Sequence, residues 1–197
     1  PVQPLAGWLQ QQWQQAVTLD LLPPLVQVSA GQSLELWQQV IAREERETDQ
    51  YHLLRPAAAA ELASQARETL LRWQVDTRQP NIRQLFGMDT DCATFLRWLE
   101  LFDQRLAGAG MGTADDCIRQ LQTCAGKLPA GKVALLEFDD IPPLYRAVVS
   151  ALAERVLEMA PAGRVGERRL HAFADKRAEL QAVARWAVAT TREQPSA

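Results

Sequence analysis

Glu137, Asp139 and Asp140 are the residues of this chain whose types and spacing point most directly to chemistry. They close a short apolar run, residues 133–136, and precede a Pro-Pro step at 142–143. Carboxylates at the C-terminal end of a strand are a common placement for function in open α/β sheets. In nucleotide-driven machines such a strand end holds a metal and activates a water. Here the pattern is damaged. Phe138 follows Glu137 in the expected way, but Leu136 stands where a metal-binding Asp belongs. Magnesium takes oxygen ligands, and an apolar side chain offers none. The plainer role for Glu137, Asp139 and Asp140 is to cap the helix that begins near Pro142.

Other constellations are weaker. Residues 126–132 fit G-x-x-x-x-G-K, the start of a phosphate loop. That loop needs a strand before it, a helix after it and a hydroxyl residue after the Lys. Here a helix precedes, a strand follows, and Val133 takes the hydroxyl position. Pro129 also removes an N–H from the supposed cradle. A helix-to-strand turn explains the segment. Cys92, Cys117 and Cys124 form no C-x-x-C, and His52 and His171 are the only histidines, so a zinc site is not expected. Reduced thiols in a cytoplasmic protein are the simplest reading. His171 reads as a strand surface residue, and no nucleophile–His pairing stands out.

The chain has six tryptophans. They could stack bases, but Trp8, Trp13, Trp37, Trp73 and Trp98 lie among apolar neighbours on expected helices, which favours core packing. Arg164, Arg168, Arg169, Lys176 and Arg177 form the densest basic stretch: a solvated turn or a phosphate-contacting surface.

Elements that could position these residues follow from the apolar period. The chain of 197 residues is 47% apolar with a formal charge of −3, which suits a globular protein with no global bias toward nucleic acid or membrane. No apolar run is long enough to span a bilayer. Leu5, Trp8, Leu9, Trp13, Ala16 and Val17 share one helix face. Pro23 and Pro24 break the chain. Ser29 and Gln32 form a candidate capping box ahead of a helix carrying Leu34, Trp37, Val40 and Ile41, with residues 43–50 as a solvated end. Pro56 opens a helix carrying Leu62, Ala63, Ala66, Leu70 and Trp73. Residues 76–91 read as a loop. Asp91 is expected to cap a helix with Phe95, Leu99, Phe102 and Leu106, ended by Gly108, Gly110 and Gly112. Thr113 starts a further helix with Cys117, Ile118, Leu121 and Cys124 inward.

After Gly131 the pattern changes. Residues 133–138 predict a buried strand, apolar on both faces and so covered on both. Leu144, Ala147, Val148, Ala151 and Leu152 mark a helix, and 156–159 a second strand, so a parallel crossover unit is expected. Residues 168–173 suggest a third strand. Asp175 is expected to cap a last helix carrying Leu180, Val183, Ala184 and Ala187. The expected fold is mainly α: a helical bundle-like domain over 1–125, then a small parallel α/β unit over 126–197.

Residues 133–152 resemble the Walker B strand and following helix of superfamily I helicases. They are most similar to the degenerate version in AddB-type helicase–nuclease subunits and related probable DNA repair proteins, described as inactivated helicases. Residues 8–13 (Trp-Leu-Gln-Gln-Gln-Trp) and 34–41 (Leu-Glu-Leu-Trp-Gln-Gln-Val-Ile) resemble the helices leading into that family's 1B-like insertion. Residues 179–186 (Glu-Leu-Gln-Ala-Val-Ala-Arg-Trp) resemble the helix opening its second RecA-like domain. The resemblance implies an internal segment of a longer chain, a partial RecA-like, P-loop helicase fold, with a phosphate loop upstream of Pro1 and a nuclease downstream of Ala197. In the degenerate Walker B stretch Leu136, Glu137, Phe138 and Asp139, Glu137 matches the water-activating Glu while Leu136 replaces the metal ligand. No ATPase residue carries over as functional. The segment itself is then expected to be non-catalytic, without cofactor or metal.

The function expected on this basis is a scaffold that positions single-stranded or forked DNA, or a partner, for a nuclease elsewhere in the parent. A helical protein-interaction module without DNA contact is the second reading, and a nucleotide-binding enzyme the third. With only two or three short strands available, an unpaired sheet edge and self-association through it are also expected.

Overall fold

The computed structural model describes residues 2–48, 51–124, 126–128, 131–159 and 171–193. Prolines and polar caps set most of the boundaries. Helix α1 spans Leu5–Thr18, and the chain then turns through Pro23 and Pro24 into a two-residue strand β1, Val26–Gln27. Helix α2, Ala30–Thr48, starts at the expected capping box: the Ser29 N–H donates to Gln32 Oε1 (2.9 Å), and the Gln32 N–H donates to Ser29 Oγ (3.3 Å). Helix α3, Pro56–Arg72, carries Pro in its first turn, where a missing N–H costs nothing.

The expected loop at 76–91 contains a helix instead, α4 at Pro80–Gly87. Pro80 presets its first turn, and eight residues are too few for a strong apolar period in sequence. Helix α5 is Thr90–Gly108, and its cap is Asp89 rather than Asp91; the Asp89 carboxylate accepts from the Cys92 N–H at 2.9 Å. Gly110, at φ 63°, turns the chain into strand β2, Met111–Gly112. Strand β2 pairs in parallel with β1, Val26 opposite Met111. A Cβ at Gly112 would lie 2.9 Å from Leu25 Cδ1 and 3.2 Å from Asp116 Cβ, so a larger residue there would have to displace the Leu25 side chain. This pair was not anticipated, because two residues carry no alternation.

Thr113 caps helix α6, Ala114–Gln120, in a full capping box with Asp116, and a 3-10 turn at Leu121–Cys124 follows. Strand β3, Lys132–Leu136, helix α7, Pro143–Leu152, and strand β4, Arg155–Met159, form the expected parallel crossover unit, with Val133 opposite Val156. The expected third strand falls partly on 168–170, outside the described residues; 171–173 are not strand. Helix α8, Lys176–Glu193, is capped as expected by Asp175, which accepts from the Ala178 N–H at 2.7 Å.

Two apolar cores organise the first compact unit, Pro1–Pro161. One gathers Leu9, Trp13 and Ala16 of α1 with Cys117, Ile118, Leu121, Leu135, Leu144, Val148 and Val149. The other gathers Trp37, Val40 and Ile41 of α2 with Ala60, Ala63, Leu99, Phe102 and Leu106 of α3 and α5. At its centre Trp37 stacks on Phe102, ring centroids 4.0 Å apart and 7° from parallel. Ala residues on α3 let α2 approach closely. Ala162–Ala197 form a second unit, in which Leu180, Val183 and Trp186 of α8 are exposed.

Three expectations about burial need correction. Leu62 and Trp73 are more than half exposed, since Leu62 lies off the α2-facing side of α3 and Trp73 ends the helix. The charged stretch at 43–50 is not solvated throughout: Glu44 is buried. It is tolerated because Tyr51 Oη, Arg97 Nε (2.8 Å) and Trp98 Nε1 (3.2 Å) all donate to its carboxylate. Strand β3 is not covered on both faces. Leu135 is buried against α7, whereas Lys132, Ala134 and Leu136 on the opposite face are exposed.

Candidate functional site

The strand end singled out from sequence sits at the tip of the β3–β4 pair. The Glu137 N–H donates to the Met159 carbonyl at 3.0 Å, which continues the parallel ladder one residue past β3. Glu137 itself adopts φ 58°, a left-handed conformation that a residue with a Cβ rarely takes. The turn ends the strand and sends the chain through exposed Phe138, Asp139 and Asp140 toward α7. Leu136, just before this turn, lies on the open face of the sheet at 42% exposure. An Asp there would have pointed into solvent beside the strand end; Leu presents a methyl surface instead.

Nor do the carboxylates cap α7. Its N-cap residue is Pro142, with no side-chain hydrogen bond to the first turn. Among the described residues no group of three or more His, Cys, Asp or Glu could hold a metal ion. The Gly126–Lys132 segment does run from a 3-10 turn into a strand, as its sequence implied, with Gly126 and Gly131 both at positive φ.

Of the basic stretch, Arg164, Arg168 and Arg169 lie outside the described residues. Lys176 and Arg177 occupy the exposed first turn of α8. His171 is exposed and stacks near Phe173, 6.3 Å between ring centroids. Four of the five helix tryptophans do pack inward, wholly or in part: Trp37, Trp13 and Trp98 are buried, and Trp8 is half-buried. Trp13 Nε1 donates to Gln120 Oε1 at 2.9 Å, so its polar edge is satisfied.

Sequence reasoning missed the most elaborate polar constellation of the fold, a buried ionic seam between the two cores. Arg67 of α3 is 5% exposed. Its Nη2 donates to both oxygens of Asp116 (3.0 and 2.9 Å), its Nε to Asp103 Oδ1 (2.8 Å) and its Nη1 to Thr113 Oγ1 (3.2 Å). The guanidinium also lies over Phe102, 5.3 Å from the ring centroid. One turn along α3, Arg72 Nε donates to Asp115 Oδ2 (2.9 Å), whose other oxygen accepts from Tyr145 Oη (2.6 Å) on α7. Burial acts to raise the Asp116 carboxyl, but Arg67, the Thr113 hydrogen bonds and Arg119 outweigh it and hold the group below the ordinary aspartate value. Every buried side-chain polar atom among the described residues has a partner, so the seam offers no open valence for substrate. It fixes the angle between α3, α5, α6 and α7.

Thiol chemistry has little support. Burial, with Asp116 next, pushes the Cys117 thiol up to about 11, away from the reactive thiolate. Exposed Cys92 is also raised, first by its hydrogen bond with Asp89.

Two concave surfaces have largely apolar walls. An apolar cleft of about 940 Å³ lies between α3, α4 and α5, walled by Leu62, Leu70, Phe86, Phe95 and Trp98. A groove of about 660 Å³ runs along β3, with Leu5 and Trp8 of α1 on one side and Phe138 at its end. Among the described residues no helix is long and apolar enough to cross a membrane.

No family model, curated protein or solved structure matches the chain. The geometry therefore carries the functional argument. It offers apolar and strand-edge surfaces for binding, and an acidic strand end at Glu137, Asp139 and Asp140 that forms no cluster of three or more metal-ligating side chains among the described residues. Mg²⁺-ATP is accordingly expected to leave Tm unchanged, because a ligand that does not bind the folded state does not stabilise it. A rise of several degrees in a thermal melt would overturn this.

Tyr145 gives a spectroscopic check on the seam. Burial, then its hydrogen bond to Asp115, pushes the phenol up to about 12. The folded value lies above the unfolded one, about 10. Its contribution is therefore fully present below pH ~10 and is lost as pH rises through the folded value. Absorbance titration of the chain beside Tyr145→Phe should show a late ionisation that the variant lacks; a Tyr145 that ionises near pH ~10 would contradict the seam.

Proposed function

We propose that this chain is a non-catalytic, helicase-like scaffold segment of a DNA repair or recombination protein. Its task is to position DNA or a partner for nuclease chemistry elsewhere in a longer parent. The observation that carries this reading is the tip of β3. Leu136 lies on the open face, Glu137 turns the chain in a left-handed conformation, and exposed Asp139 belongs to no cluster of three or more metal-ligating side chains among the described residues. A parallel strand–helix–strand unit with a degenerate acidic tip, preceded by a helical domain, supports reading the segment as a part of a RecA-like unit without its catalytic ligands. A cytoplasmic setting, with Cys92, Cys117 and Cys124 reduced, belongs to the same proposal.

DNA contact in this proposal runs through Arg164, Arg168, Arg169, Lys176 and Arg177, since the packed tryptophans are held inside. The test is anisotropy of labelled single-stranded and forked DNA at increasing salt. Affinity is expected to fall with salt as counterions are released. Arg168→Glu with Arg169→Glu should weaken binding and reduce the salt slope by about 2. Binding unchanged in that double variant would remove the basic stretch from the proposal. Glu137→Gln should leave DNA binding as it was.

A specific observation favours a second reading, a helical protein-interaction module without DNA contact. The cleft between α3, α4 and α5 is large and mostly apolar, with exposed Leu62, Leu85 and Met88 near it, a surface suited to an apolar helix face. Absence of salt-dependent DNA binding would leave this reading in place of the first.

A further inference from the structure

Strand β3 has β4 as its only strand neighbour among the described residues. The register places Val133 opposite Val156, and the Glu137 N–H bonds the Met159 carbonyl. In a parallel ladder this gives the N–H and C=O groups of alternate residues, Val133, Leu135 and Glu137, to β4. The backbone groups of Lys132, Ala134 and Leu136 face the other way, along the groove beside α1. An extended strand satisfies such an edge, and Leu5, Trp8 and Phe138 offer it apolar walls.

The charges along this edge say which strand. Lys132 stands at its start, and Glu137, Asp139 and Asp140 at its end, all exposed. A parallel copy of β3 would set like charge beside like charge. An antiparallel copy sets each Lys132 beside the other's acidic end, twice over, about a centre at Ala134. Lysine on an edge strand ordinarily discourages pairing; here the opposite end of the same strand neutralises it.

We propose that β3 pairs antiparallel with β3 of a second copy of this chain, joining the two β3–β4 pairs into one four-stranded sheet. Ala134 meets Ala134 at the two-fold axis, and Lys132 pairs with Leu136 of the second copy, its ammonium reaching that copy's Glu137 and Asp139. One strand pair buries little surface, so the dimer is a weak one that forms with rising concentration.

Sedimentation equilibrium over a wide range of protein concentration tests this. The unmodified chain should pass from monomer to dimer. Ala134→Pro removes a donor that β4 does not use and should yield a monomer, with helicity by circular dichroism reporting that it folds. Lys132→Glu should raise the dissociation constant about tenfold or more, and Lys132→Glu combined with Asp139→Lys should recover most of that loss. This charge swap decides the matter if the proline variant does not fold. An unmodified chain that stays monomeric throughout would overturn the proposal. So would a dimer indifferent to Lys132→Glu, or a folded Ala134→Pro that still dimerises.

Discussion

Replacing Arg67 with Met is expected to lower the unfolding free energy by about 3–5 kcal/mol. The cost comes from what remains. Asp116 stays at 6% exposure and loses a donor at each oxygen, keeping only the largely exposed Arg119 on Oδ1 and the neutral Thr113 groups on Oδ2, while Asp103 loses its guanidinium partner. Urea unfolding measures it. Removing both charges with Arg67→Met and Asp116→Leu should cost less than the single change, because no buried ion is left alone. A loss under ~1 kcal/mol in Arg67→Met would mean that the pair behaves as a solvated surface bridge. The pH dependence follows the same logic. Asp116 has a folded value below its unfolded one, so its stabilisation is fully present above the ordinary aspartate range and is lost as pH falls through the folded value. In Arg67→Met this acid-side loss should shrink.

Trp37→Ala is expected to cost a similar amount, about 3–5 kcal/mol, by a different route. Trp37 is fully buried, stacked on Phe102 and near Phe95. Its removal opens a cavity bounded by three helices that cannot collapse independently, because the α2–α3 and α2–α5 contacts share it. Trp37→Phe keeps a ring in place and should lose less than half as much. Equal losses for Ala and Phe would show that stacking does not hold the second core.

The pattern of apolar residues made most helices legible, because Trp37, Val40, Ile41 and Phe102 repeat at helical spacing and do pack inward. The Ser29–Gln32 capping box and the Asp175 cap were legible because each motif is local. The β3–α7–β4 unit was legible from a short apolar run, a Pro-Pro step and a second run. What stayed hidden depends on distance along the chain. Arg67 meets Asp103, Thr113 and Asp116 across 36 to 49 residues, and Asp115 and Asp116 look in sequence like ordinary first-turn acids of a helix. Glu44 was hidden for the same reason, its partner Arg97 lying 53 residues on. Helix α4 and the β1–β2 pair were too short to show a period. At the strand end, the apolar Leu136 before Glu137 is plain in the sequence, but its exposure, the left-handed turn at Glu137 and the uncovered face of β3 came only with the fold.

The most direct test of the scaffold proposal is one anisotropy titration of labelled forked DNA at about 50 and 200 mM salt, each with and without Mg²⁺-ATP. The proposal expects binding at the lower salt, clear weakening at the higher, and curves that superimpose whether or not nucleotide is present. Absence of binding at the lower salt would contradict the DNA-positioning role, and a shift on adding Mg²⁺-ATP would contradict its non-catalytic character.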